Sequence, residues 1–479
     1  MGNFPDLRDW LKEVEHLGEL EYVNNAHWNR EIGAICEIWS SDAQALLFDK
    51  IQEYPPGFRV LTNAINSAGR ISLAFGLKPC KKAEVVGRLR EKLKRPKLIP
   101  PVMEHDGPVF QNKDIGEKVN LLKFPSPFWH ELDGGRYIGT GVLTINQDPD
   151  TGWVNFGAYR AMVQDKSSTG MVITRGHHGR GIMEKYWRMG KPCPMAVCCG
   201  SHPLLYAMSG IEVPYGESEY DWAGGLMGMP VEVVPAPFSG LPIPARAELV
   251  LDGEIHEGDE MDEGPHGEWV GYYVTERKPR PVFRVKAVYY RDHPIILGAP
   301  PGKLPSDNTY FLSPVKSAFI WNELEHAGIP GVTGVWLHEC GGGRMFLVVA
   351  IKQMYCGHSV QAGMVAAHCH QGAYANKITV VVDEDVLPDD LEQVVWAICT
   401  RADFRYGVTL VHKGWTTPLD PTHYPEEAEL DVFNSRMVID ATKPWDRRDK
   451  FPRVCKVDDQ YAKEISTKWA DLFKRRRNV

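Results

Sequence analysis

The chain lacks any apolar run approaching the ~18–20 residues of a membrane span, and its mean hydropathy is −0.30. It lacks an excess of basic charge: 54 Lys and Arg against 62 Asp and Glu leave a formal net charge of −8, which excludes a surface built for nucleic-acid phosphates and leaves only local basic pockets open. Cysteine is sparse, ten in 479 residues, too few for a disulfide scaffold and best read as reduced thiols. The opening MGNFPDLRDW has no charged-then-apolar order of a signal peptide, and Asp6 stands where a myristoylation motif wants Ser or Thr. No repeat of fixed period and no low-complexity tract is present. No Gly-x-Gly-x-x-Gly follows a strand to hold a nicotinamide dinucleotide, and the Gly341–Gly343 turn precedes a strand, the wrong context for a phosphate loop. The expectation is a soluble cytoplasmic protein of two or three domains, with neither nucleic acid nor membrane as partner.

What is present falls into three textures. Pro5 suits a first helical turn, and Leu7, Trp10, Leu11, Val14 and Leu17 recur at helical spacing until Gly18 stops them. A strand over 20–23 and an amphipathic helix over 82–93 follow, then a Pro-rich passage at 95–102 that marks a boundary. From 109 to 298 short β-rich runs (142–145, 231–234, 248–251, 282–290) alternate with Gly, Pro and Asp turns, as in a barrel or sandwich with helical insertions. An amphipathic helix over 313–326 bridges to a βαβ-like remainder: strand 346–351, helix 363–374, strand 378–383, helix 391–401 and a last helix 461–473. The closing Lys474-Arg475-Arg476-Arg477 run reads as a solvated helix end.

Glu263-Gly264-Pro265-His266-Gly267-Glu268 places two carboxylates on either side of a segment that Gly and Pro turn sharply. Such a turn can aim both acids into one cleft, where one stays protonated while the other is ionised, as general acid/base work requires. Alone, the hexapeptide reads more readily as a surface turn with solvated glutamates. Asn155, His177-His178 and Glu219 add an amide oxygen, imidazole and carboxylate, a hard set suited to Mn²⁺ or Mg²⁺, although spacing alone would leave them as turn residues and an exposed His pair. Arg160 is of the type that grips a carboxylate with two parallel hydrogen bonds. His368-Cys369-His370 tempts a zinc reading, but it falls inside the expected helix 363–374, where i and i+2 diverge. Cys193, Cys198 and Cys199 adjoin an apolar run and read as buried thiols.

Taken together, Asn155…Arg160, His178, Glu219 within SEYDWAGGLMG, EGPHGEWVGYY around Glu263 and Glu268, and Lys377 before ITVVVDEDV resemble the UbiD family of reversible (de)carboxylases that use prenylated FMN. The resemblance runs from the first helix to the final βαβ region. It implies a mixed α+β fold: an N-terminal α/β region over 1–108, a central split-β-barrel flavin-binding domain over 109–312, a linker helix over 313–330 and a C-terminal α/β oligomerisation domain over 331–479. In this family the residues matching Asn155, His178 and Glu219 ligate a divalent metal, usually Mn²⁺, that also holds the flavin phosphate. Lys377 matches a lysine on the same phosphate. A K⁺ ion is implied beside Glu219, held by backbone carbonyls over Met208-Ser209-Gly210-Ile211 and that of Phe156, so Ser209 and Ile211 join His177 in the cofactor-binding set.

Arg160, Glu263 and Glu268 match the family's catalytic network: Arg160 binds the departing carboxylate, Glu263 orients Arg160, and Glu268 delivers the proton that replaces CO₂. The resemblance implies non-oxidative decarboxylation of an aromatic or heteroaromatic acid, with an acrylic acid or an aromatic acyl-CoA as alternatives. For the last, Arg175, Arg180 and Lys185 would form a basic groove or merely a solvated helix face. A non-catalytic flavin- or metal-binding subunit is a remoter reading, as is an ordinary redox flavoprotein. A flavin prenyltransferase would supply the cofactor, and relatives assemble as dimers or dimer-based hexamers. His266 departs from the Phe or Tyr of many relatives; it is a substrate contact, a proton relay, or a side chain that points outward. His423 and Tyr424 are further candidates for substrate recognition.

Overall fold

In the computed structural model, which describes residues 4–39, 44–94, 96–423, 432–470 and 472, the first helix is Leu7–His16, capped by the Asp6 side chain, which accepts the Asp9 N–H. The periodic residues Leu7, Trp10, Leu11 and Val14 are the ones it buries. They pack with helix Lys82–Leu93 and a four-stranded sheet ordered Leu20–Asn24, Ala45–Asp49, Arg59–Thr62, Ile295–Leu297. No helix among the described residues is long and apolar enough to cross a membrane.

The central sheet is antiparallel throughout, ordered Tyr137–Gly139, Ala161–Val163, Ser168–Met171, Lys278–Tyr290, Leu249–Glu263, Cys193–Cys198, Leu143–Gln147, Val154–Gly157, with Asn112–Ile115 against Lys278–Tyr290. Its middle is buried on both faces, as along Cys193–Cys198 and the first half of Leu249–Glu263. Ala196 and Cys198 join one core, while Met195 and Val197 join another with Tyr137, Met162 and Phe283. This period-two split makes these strands read as continuous apolar runs. Three residues, 158–160, carry the chain from the last strand of this order to the second. Extended chain spans at most ~3.6 Å per residue, so those strands lie within about 14 Å and the sheet curls round into the split barrel expected from the resemblance. Arg160 belongs to the segment that crosses the split.

A five-stranded mixed sheet closes the fold, ordered Val332–Leu337, Phe346–Ile351, Ile378–Asp383, Phe433–Ala441, Val408–Trp415, with parallel pairing among its three middle strands. Between the two sheets runs helix Thr309–His326. It starts four residues before the expected position, because Pro314 lies inside it instead of opening it. Phe311, Leu312, Val315 and Ala318 belong to the core shared with the N-terminal region, whereas Ile320 and Leu324 belong to the C-terminal core. The expected helix 363–374 is two pieces, His358–His368 and His370–Ala373, separated by an extended Cys369. Glycine lets the chain fold back there: a Cβ on Gly372 would stand 2.0 Å from the Ala366 carbonyl. The final helix is Asp459–Lys468, and the Lys474–Arg477 run lies outside the described residues. Shortening the fully buried Leu324 to Ala leaves a cavity in the C-terminal core; a loss of about 2–5 kcal/mol is expected, read as a lower denaturant midpoint.

Candidate functional site

The barrel's split, the loop after Glu263 and the C-terminal domain enclose a cavity of ≈ 360 Å³. Glu263 ends the long strand Leu249–Glu263, and the chain then turns back through Gly264, whose φ of +85° suits glycine. The turn rests on Gly134, whose N–H donates to the Pro265 carbonyl at 2.7 Å, and a Cβ there would meet the Gly264 oxygen at 1.9 Å. Asp133 accepts from the Gly267 N–H and the Tyr273 hydroxyl at 3.4 and 3.2 Å. Glu268 therefore lines the cavity at 8% exposure, while Glu263, 1% exposed, is off the wall and meets it through Arg160.

Arg160 joins them. Its Nε and Nη2 donate to the two oxygens of Glu263, each at 2.9 Å, and its Nη1 donates to Glu268. Tyr137 donates its hydroxyl to Glu263 at 3.0 Å. Burial works against the Arg160 charge, but Glu268 and Glu263 outweigh it and hold the guanidinium above its ordinary value. Burial, followed by the Glu263 charge, pushes the Tyr137 phenol up, so it keeps the proton that it donates to Glu263. His266 does not point outward: it lines the cavity, stacks on Tyr137 at 3.9 Å between centroids and sets Nδ1 3.5 Å from Asp133. Burial raises the Asp133 carboxyl, but its bonds and charge contacts with His266 and His130 win and lower it.

The same cavity is lined by Asn155, His178 and Glu219. The Gly179 carbonyl can only accept, so Asn146 gives it Nδ2 at 3.0 Å; the Asn146 Oδ1 then takes Nδ2 of Asn155 at 3.1 Å. This relay leaves the Asn155 oxygen as the free end of the amide. His178 sits edge-on to Trp153 and Tyr215, and burial, then His370, keep its imidazole neutral, the form a metal ligand needs. Glu219 opens helix Glu219–Met227 and accepts the Phe156 N–H at 2.9 Å. Burial pushes its carboxyl up to about 8, so a divalent cation is the natural partner to hold it ionised at neutral pH. Among the described residues no group of three or more His, Cys, Asp and Glu forms a metal site, so this donor set depends on the amide. Ser209 and Ile211 line the same cavity; the Ser209 hydroxyl donates to Tyr206, and its carbonyl accepts the Ala158 N–H at 3.1 Å. His177 lines the wall against Tyr159.

Other expected residues stand elsewhere. Lys377 pairs with Asp420 at 2.8 Å and is not among the residues lining the cavity. His423 is half-buried and likewise off the wall, and Tyr424 lies outside the described residues. Arg180 and Lys185 are taken by Glu184 and by Asp148 and Asp150, while Arg175 remains at the cavity wall. His370 reaches the cavity and binds the Glu212 carbonyl, whereas His368 bonds back to Met364. Cys193, Cys198 and Cys199 are buried free thiols, and burial pushes Cys193 up to about 12. Sequence reasoning missed Asp133, Tyr137, Glu212, Arg344, Trp269 and Tyr374. The one signal for them was Trp269, directly after Glu268.

Comparison with known proteins follows the whole chain. Residues 11–90, 101–304 and 309–441 match the N-terminal, Rift-related and C-terminal domain models of UbiD, 3-octaprenyl-4-hydroxybenzoate carboxy-lyase. The chain is 34% identical over 414 residues to the pyrrole-2-carboxylic acid decarboxylase of Pseudomonas aeruginosa, covering 83% of each. It is 29% identical over 453 residues to the phenolic acid decarboxylase of Bacillus subtilis, covering 92% of this chain and 93% of that one. The UbiD-class enzyme HmfF of Pelotomaculum thermopropionicum, solved with FMN, superposes with a TM-score of 0.83 at 28% identity over 94% of this chain and 97% of the other. An evolved dimeric form of HmfF, solved with prFMN, gives 0.80 at 27% over the same shares.

Replacing Asn146 by Leu removes the acceptor that orients the Asn155 amide. Mn²⁺ affinity, titrated through the resonance of the free ion, is expected to fall about 10–100-fold; an unchanged affinity would take Asn155 out of the ligand set.

Proposed function

The chain belongs to the UbiD family of carboxy-lyases, and from that premise we propose that it removes CO₂ from an aromatic or heteroaromatic carboxylic acid with the aid of prenylated FMN. The observation that carries the reading is the buried Arg160–Glu263–Glu268 cluster opening into the same cavity as Asn155, His178 and Glu219. HmfF is solved with FMN and, in its evolved form, with prFMN, and the two curated relatives act on a heteroaromatic and a phenolic acid.

Asn155, His178 and Glu219 would hold Mn²⁺, and through it the phosphate of the flavin, with K⁺ beside Glu219 on the carbonyls near Ser209 and Ile211. When bound, the prenylated flavin supplies a sink for the electron pair released as the bond to the carboxylate carbon breaks. Arg160 does the rest with Glu268. Glu263 grips one edge of the guanidinium and Tyr137 braces Glu263, so the Nη1 edge held by Glu268 is the one a substrate carboxylate has to win. A carboxylate that displaces Glu268 takes away its cation and puts a second negative charge nearby. Glu268 is then free of Arg160. Once CO₂ has left, Glu268 hands a proton to the carbon, and Arg160 takes the carboxylate back.

The domain division at 109, 313 and 331 is part of the same proposal, as is assembly through the C-terminal domain, where Leu410, Trp415 and Phe433 are exposed. Co-expression with a flavin prenyltransferase and purification without air should yield protein whose released cofactor has the mass of prenylated FMN, and one ring acid in a panel should lose CO₂. Absence of any bound flavin with Mn²⁺ and K⁺ supplied would sink the reading. Glu268→Gln is expected to lower kcat about 10²–10⁴-fold with the flavin still bound, and wild-type turnover in that variant would take Glu268 out of the proton-delivering role.

A further inference from the structure

Two residues before Glu268, the His266 ring lines the cavity with its two nitrogens in different settings. Nδ1 is shut off from solvent and stands 3.5 Å from the Asp133 Oδ1. Nε2 is open to the cavity and bonds no described residue. The ring is held in that orientation by its stack on Tyr137, with 3.9 Å between centroids and 29° between planes. Asp133 is fixed as well: its Oδ1 accepts the Gly267 N–H and the Tyr273 hydroxyl, and its Oδ2 accepts the His130 N–H at 3.0 Å. A carboxylate can only accept, so the hydrogen between Asp133 and His266 belongs to Nδ1. In a neutral imidazole one nitrogen bears the hydrogen and the other a lone pair. Asp133 therefore sets the tautomer that shows an acceptor, Nε2, to the cavity.

We propose that His266 is a specificity residue whose Nε2 accepts a hydrogen bond from the substrate, so that the enzyme prefers a ring acid with an N–H beside its carboxylate over the same ring with an oxygen there. The proposal deepens the ring-acid reading and rests on it. The turn itself sets the placement. A Cβ on Gly264 would stand 4.0 Å from the Arg160 Nη2, and Tyr137, against which the imidazole lies, gives its hydroxyl to the carboxylate that grips Arg160. Glu268, the carboxylate that a substrate displaces, is two peptide units from His266, at most about 7 Å between Cα atoms. A carboxylate drawn onto Arg160 thus brings the ring atom next to it beside His266. An N–H at that atom finds its acceptor in Nε2, whereas a ring oxygen sets lone pair against lone pair.

The test uses the flavin-loaded enzyme and isothermal titration of two probe pairs, pyrrole-2-carboxylate with furan-2-carboxylate and indole-2-carboxylate with benzofuran-2-carboxylate. In whichever pair the wild type binds, the N–H member is expected to bind about tenfold more tightly. His266→Phe keeps a ring against Tyr137 and is expected to abolish that ratio, with the affinity for the oxygen member unchanged. Asp133→Asn offers Nδ1 a donor, which turns Nε2 into the N–H side, and is expected to shrink the ratio or reverse it. A His266 that only packs would not respond to that exchange. Flavin content, read by absorbance, reports that each variant is folded and loaded; if His266→Phe loses its flavin, Asp133→Asn decides alone. Equal affinity of wild type for both members of a bound pair would overturn the proposal, as would an undiminished N–H preference in loaded His266→Phe, and in either case the ring-acid reading stands. If none of the four acids binds the loaded wild type, the ring-acid reading falls and this inference with it.

Discussion

Arg160 is held between two carboxylates in a place almost closed to water, and most of the surrounding structure exists to keep it there. Breaking a buried pair of this kind by removing one partner typically costs about 3–5 kcal/mol, because the remaining charge is stranded. The geometry follows from that constraint. Glu263 must end a strand at the barrel's split, the Gly–Pro turn must return the chain within five residues, and Asp133, Gly134 and Tyr137 must pin the turn from the neighbouring segment. Arg160 itself lies in the three-residue crossing, so curling of the sheet and assembly of the cluster are one event.

Charges of both signs meet around the cavity. Asn155, neutral His178 and Glu219 give it a patch rich in acceptors. Lys316 and Arg344 face Glu212, and Glu323 acts on Lys316 from the same helix. Burial lowers Lys316 to about 8, with Arg344 pushing the same way, while Glu212, which burial alone would raise, is held at about 2 by the two cations.

Much of this was legible before the structure. Helices Lys82–Leu93 and Leu391–Arg401 and strands Phe346–Ile351 and Ile378–Asp383 begin and end where apolar periodicity places them, because each presents a single face or a fully buried run. Helix 363–374 misled because its period continues through Cys369, where one extended residue folds Gly372 back against the Ala366 carbonyl. Glu263, Glu268 and Arg160 were found through the motif, yet nothing local told that the Glu–His–Glu turn faces inward; that is decided by Gly134, more than a hundred residues earlier. Arg344 was read as the tail of a glycine turn, since a lone arginine there carries no period and its partners Trp269 and Tyr374 come from distant segments. Lys377 shows the reverse: a motif match whose side chain is engaged with Asp420.

Helix Thr309–His326 gives its first half to one core and its second half to another. A unit that borrows a wall from its neighbour cannot melt alone: unfolding the C-terminal sheet strips Ile320 and Leu324 of their contacts and loosens the same helix that packs Phe311 and Leu312 at the cavity. Heat and denaturant therefore act on both regions as a single cooperative block, and damage far out in the C-terminal sheet registers at the wall of the cavity.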